Sequence, residues 1–116
     1  YPEYHTSLDN LKLVSPESLE NSFKVIKSLI EIVEQNKKLT ATKSGEPFLQ
    51  KYKLKQGISG FNQPLKDETR NIIDILAYSD GNNDLINISR ILKKDFFKLA
   101  AISNKLIKLK LVKEKN

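Results

Sequence analysis

Apolar residues recur at spacings of three and four along much of this 116-residue chain, and that period predicts helices. The first is the plainest. Leu19, Phe23, Ile26, Ile30 and Val33 form one apolar stripe, which Leu29 and Ile32 widen. Ser15 stands where a cap is needed, Pro16 suits the first helical position, and Glu17 puts negative charge in the first turn. Asn36 is the expected left-handed end of this helix. So wide a stripe predicts burial, either on the C-terminal residues or on a second copy of the chain. The first ten residues, with Pro2, His5, Thr6 and Ser7, show no period and read as a loop.

Residues 37–66 differ in kind. They hold Gly45, Gly57, Gly60, Pro47 and Pro64, and read as an irregular insert with short strands. Leu39-Thr40-Ala41-Thr42 and Tyr52-Lys53-Leu54 are the candidate strands, with a turn at Ser44-Gly45-Glu46-Pro47 between them. The helical period then returns three times. Asp67 is expected to cap a helix that buries Ile72, Ile73, Leu76 and Tyr78, and Ser79-Asp80-Gly81-Asn82-Asn83 reads as the turn that ends it. Asp84 caps a short helix with Leu85, Ile88, Ile91 and Leu92 inward. Lys93-Lys94 connects it tightly to a third helix, capped by Asp95, with Leu99, Ile102, Leu106 and Leu109 inward. Lys110-Leu111-Val112-Lys113 alternates as a strand would. Short helix, tight turn, long helix and strand make a helix-turn-helix with the beginning of a wing. The fold class is mainly α with minor β. Three parts are expected, 1–36, 37–66 and 67–116.

Composition narrows the function. Cysteine is absent, which excludes disulfides and thiolate metal sites. No apolar run is long enough for a membrane span, and no basic-then-apolar leader is present, so a cytoplasmic protein without a membrane partner is expected. Methionine is absent as well, and a chain opening at Tyr1 reads as an excised C-terminal piece of a longer protein. The net charge is +6, and its excess is concentrated from Lys93 onward, where eight lysines face Asp95 and Glu114. Lysine outnumbers arginine 18 to 2. Two explanations stay open, a basic surface selected for a partner and an AT-rich coding genome.

Asp80, Asn82 and Asp84 occupy the first, third and fifth positions of a calcium loop, but Leu85 and Ile91 stand where glycine and glutamate are required. The pattern fails, and a capped turn is the better reading. No glycine-rich phosphate loop and no nucleophile elbow occur, so the chain by itself is not expected to catalyse. Read as a nucleic-acid binder, the last helix would expose Lys98, Asn104, Lys105 and Lys108, with Lys93 and Lys94 meeting phosphates. It carries no arginine for guanine, and a gripping wing normally needs two strands.

The run Tyr1-Pro2-Glu3-Tyr4-His5-Thr6-Ser7-Leu8-Asp9-Asn10-Leu11 resembles the last metal-ligand segment of co-catalytic zinc aminopeptidases, whose Tyr-His-Thr-x-x-Asp signature includes a zinc-binding histidine. It is closer still to a bacterial aminopeptidase-like family found with surface-polysaccharide gene clusters. That family continues with motifs matched here by Val14-Ser15-Pro16-Glu17-Ser18-Leu19, Gly45-Glu46-Pro47-Phe48-Leu49 and Tyr78-Ser79-Asp80-Gly81, in the same order. The resemblance implies that residues 1–36 are the closing loop and last helix of an α/β aminopeptidase-like domain, and that 67–116 is a winged-helix-like unit. It also implies that His5 is a zinc ligand in the intact parent, with the remaining ligands upstream. With one histidine and no cysteine, no zinc is expected in this piece alone. For Tyr4, polarising a substrate carbonyl and simple packing both stay open.

Two functions follow. The first is the C-terminal piece of a zinc-dependent aminopeptidase-like protein, whose partner is the rest of the parent chain and whose winged-helix-like unit docks or packs. The second is a small DNA-binding regulator that dimerises through its first helix. A homo-oligomer fits either, and specific DNA is the less favoured partner.

Overall fold

The structure, a computed structural model, describes residues 1–54 and 66–115. It divides into two units, Tyr1–Glu34 and Gln35–Asn116. The first unit is a run of hydrogen-bonded turns followed by helix α1 (Pro16–Gln35). Ser15 caps α1 as expected, its Oγ accepting from Ser18 N at 3.2 Å. Glu20–Lys24 and Lys27–Glu31 add ion pairs one turn apart.

The predicted burial of α1 is not observed. It has no buried residue, and Phe23 and Val33 are 66 % and 71 % exposed. A helix closes its own backbone hydrogen bonds, whereas covering an apolar stripe takes a second surface, and the turns of residues 1–15 are too short to supply one. Nor is Asn36 a left-handed cap, being absent from the residues with positive φ. Its side chain serves the second unit instead.

That second unit contains β1 (Lys38–Ala41), a 3₁₀ turn at Leu49–Tyr52, α2 (Asp67–Tyr78), β2 (Asp80–Asp84), α3 (Leu85–Leu92), α4 (Phe96–Lys108) and β3 (Val112–Glu114). The sheet order is β2-β1-β3, antiparallel throughout, so the strand expected in an insert is the central strand of the sheet. Leu39, at its middle, is fully buried. It joins Ile72 and Ile75 of α2, Leu85 and Ile88 of α3, Leu99 and Leu106 of α4, and Leu111 and Val112 in one core. Each such side chain contributes about 1.5–3 kcal/mol by leaving water.

Several expectations are corrected. Tyr52-Lys53-Leu54 is no strand: Lys53 is left-handed (φ 56°) and closes the 3₁₀ turn. Lys66, not Asp67, precedes α2, and its side chain makes no capping hydrogen bond. The buried face of α2 runs through Asn71, Ile72 and Ile75, leaving Ile73, Leu76 and Tyr78 half-buried. Ile91 is 46 % exposed, and Ile102 and Leu109 are half-buried. Lys110 takes φ 56°, its N–H returning to Ile107 O, so the last strand begins two residues later. Gly57, Gly60 and Pro64 lie outside the described residues.

The largest change concerns Asp80-Gly81-Asn82-Asn83, which is strand β2 rather than a free turn. Its pairing with β1 runs from Lys38↔Asp84 to Thr40↔Asp80, one residue between on β1 and three on β2. Asp80 Oδ1 absorbs the surplus by accepting from Asn82 N (2.8 Å) and Asn83 N (3.3 Å), a turn made inside a strand.

Candidate functional site

Three places hold the chemistry singled out above. The first is the loop of residues 1–10. His5 sits at φ 61°, a left-handed conformation uncommon outside glycine, and its ring lies 3.9 Å from the Tyr4 ring at a 49° tilt. Both side chains are exposed. Thr6 holds the loop, its N–H and Oγ1 both donating to Glu3 O while Leu8 N donates to Thr6 Oγ1. Asp9 Oδ2 accepts from Tyr1 Oη at 2.8 Å, and that bond to a carboxylate pushes the Tyr1 phenol above its ordinary value.

No group of three histidine, cysteine or carboxylate side chains gathers among the described residues. A catalytic zinc takes three protein ligands. His5 can offer one imidazole, Asp9 is engaged by Tyr1, and the residues present do not by themselves make a zinc site.

The second place is the helix-turn-helix. Asp84 caps α3 through Asn87 N (2.8 Å), and Asn36 braces the same end, its Oδ1 accepting from Ile86 N and its Nδ2 donating to Asp84 Oδ2. Lys93, left-handed at φ 52°, ends α3, and Ser89 Oγ donates to Lys94 O across the turn. Asp95 caps α4 through Lys98 N at 2.9 Å. Of the residues expected to read nucleic acid, Lys93, Lys94, Lys98 and Lys108 make no ion pair among the described residues. Asn104 and Lys105 are engaged. Asn104 Oδ1 accepts from Lys37 Nζ at 3.0 Å, and Lys105 Nζ lies 3.2 Å from Glu68 Oε1. Lys37, which the sequence reading passed over, also reaches Glu114 Oε1 at 2.9 Å. The flank of β3 where a wing hairpin would return its second strand is filled by β1.

The profile of the winged helix-turn-helix family matches residues 36–114. The chain belongs to that family. Residues 1–36 match a second family, described as a domain of unknown function (DUF4910). Among solved structures, the chain is similar to the crystal structure of a "putative peptidase" from Clostridium acetobutylicum, with a TM-score of 0.79 and 25 % identity. The likeness covers 97 % of this chain and 24 % of that one, so the chain spans about a quarter of the length of that neighbour. No curated protein matches.

The third place lies within the winged helix-turn-helix. The first turn of α2, the α3–α4 turn and the start of α4 border a groove of about 460 Å³. Asn71 lines it and is 8 % exposed, and its buried Oδ1 has no hydrogen-bond partner among the described residues. Leaving such an oxygen unmatched costs about 1–3 kcal/mol. The signal for it was present in the sequence as a polar residue beside Ile72 and one turn before Ile75, on the stripe that had to be buried.

Proposed function

We propose that this chain is the C-terminal part of a zinc-dependent aminopeptidase-like protein, cytoplasmic, in which the winged helix-turn-helix docks or packs rather than reads DNA. The observation that carries the reading is the likeness, along 97 % of the chain, to the structure titled "putative peptidase". In the parent, His5 supplies one zinc ligand and the other ligands come from outside these residues. Tyr4, whose ring lies tilted against that of His5, is the neighbour able to face a bound substrate. The apolar stripe of α1 supports the same reading, because Leu19, Phe23, Ile26 and Ile30 are all more than half exposed and suit a larger hydrophobic core.

Three features support docking over sequence reading. Lys37 holds the oxygen of Asn104, the residue best able to pair with adenine. Lys105 is drawn to Glu68. The strand beside β3 is β1, in the place of a wing's return strand. Free lysines then bind nucleic acid through phosphates alone, weakly and with steep salt dependence.

The test is made on the longer polypeptide that contains this chain. Zinc content and hydrolysis of aminoacyl anilides are measured with and without His5→Ala. Loss of zinc and activity together is the expected result; unchanged zinc in the variant removes His5 from the site. Selection from random oligonucleotides near physiological salt tests the alternative. A DNA-binding regulator should favour its site by at least about 10³ over random sequence, whereas a docking module enriches no motif.

A further inference from the structure

The chain's single histidine stands on a left-handed backbone, in a loop without a buried side chain to steady it. An imidazole that serves a site has to point one way, so an exposed loop must supply that order through its own contacts. Backbone turns supply part of it. Tyr4 N donates to Tyr1 O, Thr6 N to Glu3 O and Asp9 N to Thr6 O. These bonds fix the path of the chain and leave the His5 side chain its own torsions.

Tyr1 supplies the remainder. Its Oη donates to Asp9 Oδ2 at 2.8 Å, so a side-chain bond closes the loop across eight residues. The ring of Tyr1 meets that of Tyr4 edge to face, with centroids 5.7 Å apart and planes at 69°, and Tyr4 lies 3.9 Å from the imidazole. Edge-to-face contacts of this kind are directional. Three rings therefore run in series, and the one farthest from the imidazole is anchored by a hydrogen bond to a carboxylate. Tyr1 also borders a groove with Val14, Ser18 and Leu19, which places the anchor beside the first turn of α1.

We infer that Tyr1 is a positioning residue: held by Asp9, it fixes the Tyr4 ring and, through that ring, the direction of the His5 imidazole. This role deepens the peptidase reading and rests on it for its use, because a metal ligand loses affinity when its orientation is left free.

One histidine in 116 residues gives one set of imidazole proton signals, so the test is direct. In the metal-free chain the Tyr4 ring current should displace those signals, and Tyr4→Leu should abolish the displacement. Tyr1→Phe keeps the ring and removes the hydroxyl. It should lose most of the displacement with an unchanged thermal midpoint, since Tyr1 is exposed. Asp9→Ala should act alike, whereas Asp9→Asn retains an acceptor oxygen and should retain the displacement. Combining Tyr1→Phe with Asp9→Ala should add nothing, as befits two ends of one bond. In the longer polypeptide, Tyr1→Phe should weaken zinc binding about tenfold, read by competition with a chromogenic chelator. Undisplaced His5 signals in the unaltered chain overturn the inference, and so does an equal displacement in Tyr1→Phe. So does unchanged zinc affinity in Tyr1→Phe where His5→Ala loses the metal. Should His5→Ala itself leave zinc unchanged, the zinc reading falls, while the ring signals still decide the role of Tyr1.

Discussion

Lys37 and Asn104 are 67 residues apart in the chain and share a 3.0 Å hydrogen bond from ammonium to amide oxygen. The same Lys37 nitrogen pairs with Glu114, so one side chain ties the approach to β1, the exposed face of α4 and the end of β3. On the face of α4 that a DNA reader would present, Asn104 and Lys105 are exposed yet engaged, Asn104 by Lys37 and Lys105 by Glu68.

Lys37→Met keeps the length of the stem and removes both bonds. Its side chain is 20 % exposed and that of Glu114 53 %, so screening trims the ion pair and the loss should be near 1 kcal/mol. Urea denaturation measures it. The freed Asn104 should confer no preference for any DNA motif, which oligonucleotide selection with the variant checks.

Gly81 and Gly45 both have positive φ, at 81° and 91°, yet replacement by alanine should differ between them. At Gly81 an added Cβ meets Thr40 Oγ1 and Lys115 Cδ at 2.9 Å, at the β2–β1 pairing; at Gly45 it meets nothing within 4 Å. Gly45→Ala should cost about 1 kcal/mol for the backbone alone, and Gly81→Ala distinctly more. Comparing their thermal midpoints decides this, and equal losses would contradict the close approach at Thr40.

Leu39→Ala and Phe23→Ala form a second contrast. Leu39 is fully buried on the central strand, so truncation should cost about 2–5 kcal/mol. Phe23 is 66 % exposed, and its truncation in this chain should change stability by less than about 0.5 kcal/mol. In the longer protein the Phe23 substitution should become costly, as the proposed core closes over α1. Parallel denaturation of chain and parent tests both statements.

The Asp80 carboxyl is held below its ordinary value of 3.8, chiefly by the hydrogen bond from Asn82 N–H. A depressed folded value gives stability that is present above the ordinary carboxylate range and is lost as pH falls through the lowered one. Asp80→Asn should therefore show a flatter decline in stability between about pH 5 and pH 2 than the unaltered chain. Denaturation across that window reads the difference; parallel curves would sink the assignment.

Local rules explain which parts of the fold were legible. Ser15, Asp84 and Asp95 act as caps because each satisfies N–H groups within three residues, a demand independent of the rest of the molecule. Leu85, Ile88, Leu99 and Leu106 face inward because a helical stripe has one side to bury. Tyr4 and His5 could be marked as candidate chemistry from residue type and order alone, yet whether they meet further ligands is a matter of three dimensions, and Asp9 turns out to be occupied by Tyr1.

Chain order thus determined the helices, the N-terminal caps of α1, α3 and α4, the tight α3–α4 turn and the lysine-rich character of the last helix, since these depend on contacts a few residues long. Tertiary structure alone decided the rest. Turn-forming residues Asp80–Asn83 became a strand because β1 offered a ladder and Asp80 could absorb the surplus residues. The stripe of α1 stayed exposed because periodicity states which side of a helix is apolar and cannot state what covers it. Lys37, Asn104 and Asn71 took their roles from partners, or from the lack of one, that strand pairing and helix packing brought close across long sequence separations.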